Sequence, residues 1–343
     1  MITSTGNNND WEVGKLDLLY RLISLTTVSI AFLFLFNNYL IFWRGWPGII
    51  NLFSTKGWFG FEELQKPLTS QAINLGWLQL SSYILVIALV ITYIYFTRDS
   101  YLRSDAKKLS SLSAYIIRAA FWAVLIIGLT DSIISFLRVE DLLSSIVGDD
   151  MAKSLAISRY RGTYIHYPII GLSFIIAYFI KSLGFTWLAI LVVLAEFQIV
   201  IVRFIFSYEQ AFLGDLVRFW YAALFLFASA YTLIEEGHVR VDVLYAGFSL
   251  RRKALVNALG SLILGIPLCW IILALGMWGK ATIINSPLLA FEMTQSGFGL
   301  YVKYLMAGFL AIYALTMMIQ FASYFLSNIA IFRNEPKKIT IEN

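Results

Sequence analysis

The sequence predicts an all-α fold, a polytopic transmembrane helical bundle of about eight helices with both termini in the cytoplasm, and three observations carry that prediction. The first is composition: of 343 residues 59% are hydrophobic and only 14% charged, with a mean hydropathy of +0.75. A water-soluble fold could not hide so much apolar surface. The second is length, because the apolar residues fall into runs that can each cross about 30 Å of hydrocarbon as a helix. No water is available in the bilayer core to satisfy open amide groups, and no strand-length segments show barrel-type alternation, so the spans are helices. The third is the placement of basic residues, which come in short clusters between the runs.

Taken in order, the spans are 18–43, 75–96, 112–137, 163–181, 185–206, 213–234, 254–278 and 301–326. Met1 to Asp17 carry no early basic cluster and no small-residue cleavage pattern follows the first run, so it is read as a retained helix. With the N-terminus inside, Lys15 and Arg21, then Arg98, Arg103, Lys107 and Lys108, then Lys181, then Arg240, Arg251, Arg252 and Lys253, and finally Arg333, Lys337 and Lys338 stay in the cytoplasm. The opposite loops hold Arg44, Lys56, Lys66, Arg138, Lys153, Arg159, Arg161 and Lys280, accompanied in 139–153 by Glu140, Asp141, Asp149 and Asp150. Trp43, Trp46, Trp77, Trp187, Trp220 and Trp278 stand near span ends, where the headgroup region accommodates an amphipathic ring. Lys181 to Gly184 form a tight inner turn that divides the chain into two groups of about four helices without a convincing internal repeat. Gly265 and Pro267 interrupt the seventh span.

The net charge of +5 does not point to nucleic acid, since the basic residues form no single face. The one cysteine, Cys269, allows neither an internal disulfide nor a cysteine-rich metal site. Three in-membrane ionisable residues stand out, Asp131, Arg118 and Glu196, since burying one unpaired costs at least ~2.5 kcal/mol. Asp131 lies within plausible depth of Arg159, Arg161 or His166. Arg118 is near enough to the inner end to snorkel. Glu196 shares a helix face with Arg203 but is two turns away, so another helix should supply its partner. Structural pairing is the favoured reading for all three over an ion or proton path.

The stretch from Glu236 through Gly237, His238, Arg240 and Asp242 follows a long apolar helix that Gly237 can end in the left-handed conformation. Val239, Val241 and Val243 then alternate with the polar residues, giving a segment suited to the inner membrane border. Ser249 can cap the next helix, whose first turn holds Arg251, Arg252 and Lys253. Cations there oppose the helix dipole, and anionic lipid headgroups offset that at about 1 kcal/mol per basic residue.

Tyr231-Thr-Leu-Ile-Glu-Glu-Gly-His-Val-Arg-Val-Asp-Val-Leu-Tyr245, with Arg251-Arg252-Lys253 beyond it, resembles the signature of the DctQ-type small permease subunit of TRAP (tripartite ATP-independent periplasmic) transporters. Arg203-Phe-Ile-Phe206 and Gly214-Asp215-Leu216-Val217-Arg218 are similar to two further family patterns, with one acid, Asp215, standing where the family has an acidic pair. The resemblance covers about 183–335. It divides the chain into an N-terminal four-helix membrane extension, 1–182, a DctQ-like domain, 183–335, and a cytoplasmic tail, 336–343.

What the resemblance implies is a scaffold subunit, not an enzyme, in the bacterial inner membrane. It has no catalytic, cofactor or metal residues of its own. Its partners are a large TRAP permease subunit, a periplasmic substrate-binding protein and membrane lipids, and the system takes up small organic acids, driven by sodium. Arg203, Asp215, Arg218, Glu236, Gly237, His238, Arg240 and Asp242 are its subunit or scaffold contacts. Two other readings stand beside it. A membrane anchor of a respiratory oxidoreductase would need paired histidines for haem, and the two present, His166 and His238, fall on opposite sides. A self-sufficient secondary transporter would show paired broken helices, of which Gly265 and Pro267 supply one.

Overall fold

A computed structural model describes residues 13–181, 185–207, 210–234, 243, 245–293 and 299–336, and all regular structure among them is helical. Among the described residues eight helices are long and apolar enough to cross a membrane. We number them α1 (Lys15–Arg44), α2 (Ser70–Phe96), α3 (Leu102–Val139), α4 (Ser158–Phe179), α5 (Phe185–Phe206), α6 (Ala211–Ile234), α7 (Leu250–Met277) and α8 (Lys303–Phe332). The protein is therefore a multi-pass membrane protein.

Each hydropathy run holds a helix, and the differences lie at the ends. α3 begins ten residues before the predicted 112, and α8 continues six beyond 326. The added turns of α3 are mostly polar, so an apolar-run criterion stops short of them. The pairing of their polar groups explains why they stay helical. Glu335 accepts the amide hydrogens of Leu102 (3.1 Å) and Arg103 (3.3 Å), which caps the start of α3 from a distant part of the chain. Burial raises the Glu335 carboxyl above its ordinary value, while those amide hydrogen bonds and the Arg103 charge pull it down. Asp105, one turn further on, is buried and accepts from Arg21 Nε of α1 at 2.7 Å. The Arg21 guanidinium also donates to the carbonyl and hydroxyl of Thr97, both at 2.7 Å. Asp17 accepts from the Gly14 amide (2.8 Å) and from Arg333 (3.0 Å).

The seventh span is not broken. Ser261–Gly265 is a single π turn inside α7, and the helix resumes at Ile266. A widened turn accommodates Pro267, which lacks an amide hydrogen, without ending the helix. A Cβ on Gly265 would stand 2.7 Å from the Phe321 ring, so the glycine is needed for close approach of α8.

The chain forms two compact units, one of residues 1–110, 240–267 and 321–343, the other of 111–239 and 268–320. In the first, α1 packs along α2, and the short helix Gly48–Lys56 packs on α2. Ser323 donates to the Ala106 carbonyl, and Asn257 donates to Tyr324 and Asn328. In the second, α6 packs along α5 and also meets α3. Trp220 donates its indole hydrogen to the Val124 carbonyl at 3.2 Å, and a Cβ on Gly128 would overlap that indole nitrogen. Phe219 and Phe227 of α6 hold Phe309 of α8 at ring-centroid distances of 5.3 and 5.0 Å. In hydrocarbon such packing and internal hydrogen bonds, not water exclusion, hold helices together.

Candidate functional site

Two sets of ionisable side chains lie within the second unit, one turned outward and one buried. The outward set is on α5, an almost wholly apolar helix whose exposed side carries Val193, Phe197, Val200 and Phe204, the last 89% exposed. Glu196 and Arg203 lie close to that stripe on the same helix, Arg203 exposed at its surface, seven residues apart and so about 10 Å along the axis. Neither forms an ion pair with another described residue.

The neighbouring Asp215 behaves differently. It is buried near the start of α6, accepts the amide hydrogen of Leu300 at 3.1 Å, and stands 3.6 Å from Arg218, whose side chain is 76% exposed. The carboxylate is thus committed within the chain, tying α6 to the segment before α8, while the guanidinium beside it stays largely exposed. Beside it a groove runs between α3, α5 and α6, with Ser132 and Gln198 among its apolar walls and Gln210 donating to Glu140 at 2.8 Å at its rim.

The buried set centres on Asp131 of α3. Its Oδ1 accepts from Arg161 Nη1 at 2.8 Å and faces His166 Nε2 at 3.3 Å, and its Oδ2 accepts the Tyr301 amide hydrogen at 2.7 Å. Asp131, Arg161 and His166 are each fully buried. A carboxylate cannot donate, so the one-proton imidazole carries its hydrogen on Nε2, and Nδ1 accepts from the Tyr304 hydroxyl at 2.8 Å. Arg161 further donates through Nε to the Leu155 carbonyl and through Nη1 to Ser135, and it lies 4.2 Å from the centroid of the Tyr301 ring. Arg138 bonds the Tyr301 hydroxyl from the other side.

Local geometry explains how one carboxylate reaches both side chains. Residues five apart on an α-helix point about 140° away from each other. Gly162–His166 is a π turn, closed by the Tyr167 amide hydrogen on the Gly162 carbonyl, and the added residue brings Arg161 and His166 to the same side of α4. Gly162 allows the fit, since a Cβ there would overlap the Phe291 ring.

Of the three neighbours that the sequence suggests for Asp131, the structure supplies Arg161 and His166, while Arg159 instead lies over the Phe291 ring at 5.5 Å. Arg118 is half-buried, with its Nε unpartnered among the described residues. Ser249 caps α7 by accepting the Arg252 amide hydrogen at 3.4 Å. Arg251 lies over the Phe332 ring at 4.7 Å, and Lys253 lies over Tyr245 at 5.2 Å. Glu236, Gly237, His238, Arg240 and Asp242 lie outside the described residues. Sequence reading missed Tyr301 and Tyr304, for which the available signal was two tyrosines opening the last span. It also missed the Arg21–Asp105 pair, where both residues read as ordinary inner-loop charges. Among the described residues no group of three or more His, Cys, Asp or Glu could hold a metal ion.

Residues 190–330 match the model of the family described as tripartite ATP-independent periplasmic transporters, DctQ component. No curated protein and no solved structure matches the chain.

Proposed function

We propose that this chain, whose residues 190–330 match the DctQ family of TRAP transporter components, is the fixed membrane scaffold against which a large TRAP permease subunit moves substrate. The family is a transporter component family and not an enzyme family. In this reading a periplasmic binding protein delivers a small organic acid, the permease carries it in a sodium-driven elevator movement, and this subunit anchors the frame in the bacterial inner membrane. Both termini are cytoplasmic. Residues 183–335 form the DctQ-like domain, 1–182 an additional membrane region and 336–343 a tail.

The observation that carries the reading is the pair of charges on α5 that no other described residue neutralises. Left in lipid, a side chain such as Glu196 at mid-helix costs about 2.5–3.5 kcal/mol on insertion scales. A protein partner presenting complementary groups removes that cost, and the surrounding Val193, Phe197, Val200 and Phe204 supply the apolar contact. Arg218 extends the exposed polar set, and Arg240 and Asp242 join it by resemblance. Asp215 supports the partner surface from within, by fixing the start of α6. An elevator needs such a rigid frame, and the frame needs no substrate ligand.

The test is copurification of a tagged large permease with Glu196→Lys and Arg203→Glu variants, after coexpression in native membranes. Loss of the permease from both, with the variant subunit still inserted and monodisperse, is the expected result. Undiminished copurification of both variants overturns the assignment of α5 as the docking face.

A further inference from the structure

The loop between α1 and α2 carries a cluster of aromatic side chains that nothing in the DctQ resemblance accounts for, since it lies in the N-terminal region outside 190–330. Phe53 of the short helix Gly48–Lys56 has ring-centroid distances of 5.8 Å to Trp58, 5.2 Å to Phe59 and 6.2 Å to Phe61, and Trp58 meets Trp77 of α2 edge-on at 5.7 Å. In a water-facing loop such a cluster would close on itself. Here it opens outward: Phe59 is 81% exposed, and Trp58 and Phe61 are exposed as well. Phe59 also sits at φ 57°, in the left-handed region that bulky residues rarely enter, and touches Phe53 while most of its surface stays open.

The depth of the element is fixed by hydrogen bonds. Gln79, nine residues inside α2, accepts the Gly48 amide hydrogen at 2.8 Å and donates to Asn37 of α1 at 2.9 Å. Leu52 packs against Gly76, where an added Cβ would stand 3.2 Å from the Leu52 Cβ. The short helix therefore begins beside the bodies of α1 and α2, about 13 Å in from the first residue of α2 and not above it. α1 and α2 each exceed the ~20 residues that hydrocarbon requires, which puts this level at the border of the bilayer. The aromatic face continues the lipid-facing surface of the two helices, which are themselves little covered by protein. Charged Lys56, Glu62, Glu63 and Lys66 lie in the same loop, so the segment is apolar where it meets the helices' flank and polar beyond.

We propose that residues 48–61 are an interfacial anchor whose Trp58, Phe59 and Phe61 side chains insert into the headgroup and upper acyl region of the bilayer leaflet at the Arg44 end of α1. The occupant of this surface is lipid. Aromatic rings are the side chains best accommodated at that depth, and the exposed ring of Phe59 is free to enter it.

The single, buried Cys269 makes the test direct. In the full chain carrying Cys269→Ala, Phe59→Cys or, separately, Lys66→Cys is labelled with an environment-sensitive fluorophore and reconstituted without other proteins in phosphatidylethanolamine–phosphatidylglycerol vesicles. The expected result is blue-shifted emission at position 59, quenched by lipids spin-labelled near the top of the acyl chain and not by aqueous iodide, with the reverse at position 66. Trp58→Cys gives the same readout should the label at 59 disturb the loop. Iodide quenching at 58 and 59 equal to that at 66 overturns the proposal, and so does shielding from both quenchers, which would put a second copy of the chain over the element.

Discussion

Replacing Asp131 by asparagine keeps the shape of the buried site and removes its negative charge. At 2.8 Å the Arg161–Asp131 attraction is about 6 kcal/mol for an effective dielectric constant of about 20. Most of that offsets the desolvation of two fully buried groups, so the pair itself adds little net stability. Removing one partner is another matter, because the guanidinium stays buried without its counter-charge, at a cost of about 3–5 kcal/mol. The amide oxygen of the substituted side chain can still accept the Tyr301 amide hydrogen, which keeps the loss toward the lower figure. The double variant Asp131→Asn, Arg161→Met removes the stranded charge and should recover at least half of the loss. Stability is read from reversible unfolding in mixed micelles, and the coupling from the four-protein cycle. If the double variant is as unstable as the sum of the two single variants, the pair is uncoupled and the electrostatic account of the site fails.

Two further outcomes follow from packing and from charge. Gly162→Ala places a Cβ into the Phe291 ring and should lower stability by about 1–3 kcal/mol, whereas Gly171→Ala, with open space around it on the same helix, should be neutral in the same assay. Glu335 has its carboxyl raised above the ordinary value, so folding takes up a proton there: its contribution is fully present below the unfolded value of about 4.5 and is lost as pH rises through the folded value. The stability advantage of wild type over Glu335→Gln should shrink as pH rises from 4.5 upward, and an advantage that grows over that range contradicts the assignment.

The lipid solvent made the spans legible, because a helix in hydrocarbon writes its apolar run plainly and few other structures are allowed there. α5 is the clearest case, with 185–206 read from hydropathy and Phe185–Phe206 found. The start of α3 was not legible, since Arg103, Asp105, Lys107 and Lys108 carry the same letters as any inner loop. Only the position of Arg21, eighty-four residues away, makes Asp105 a buried group. Asp131 announced itself by being an acid in an apolar run, and the depth of Arg161 and His166 narrowed its partners. Tyr304 gave no such notice, because a tyrosine at a span end is expected at the interface whether or not its hydroxyl is engaged. Glu196 and Asp131 look alike in sequence, yet among the described residues only Asp131 is enclosed by partners from its own chain. That difference depends on which helix lies opposite, which a single helix's periodicity does not contain.

The widened turn in α4 has a consequence for how relatives of this chain are to be compared. Positions before Gly162 and after His166 do not share one helical wheel, so amphipathicity drawn through the whole span mixes two phases. A homologue one residue shorter between the arginine and the histidine could hold the same cluster on a regular α-helix, because residues four apart lie on one face. At the present spacing a regular α-helix would instead aim the imidazole at another neighbour and leave the acid with a single nitrogen partner on that helix, a loss that residue identity does not show.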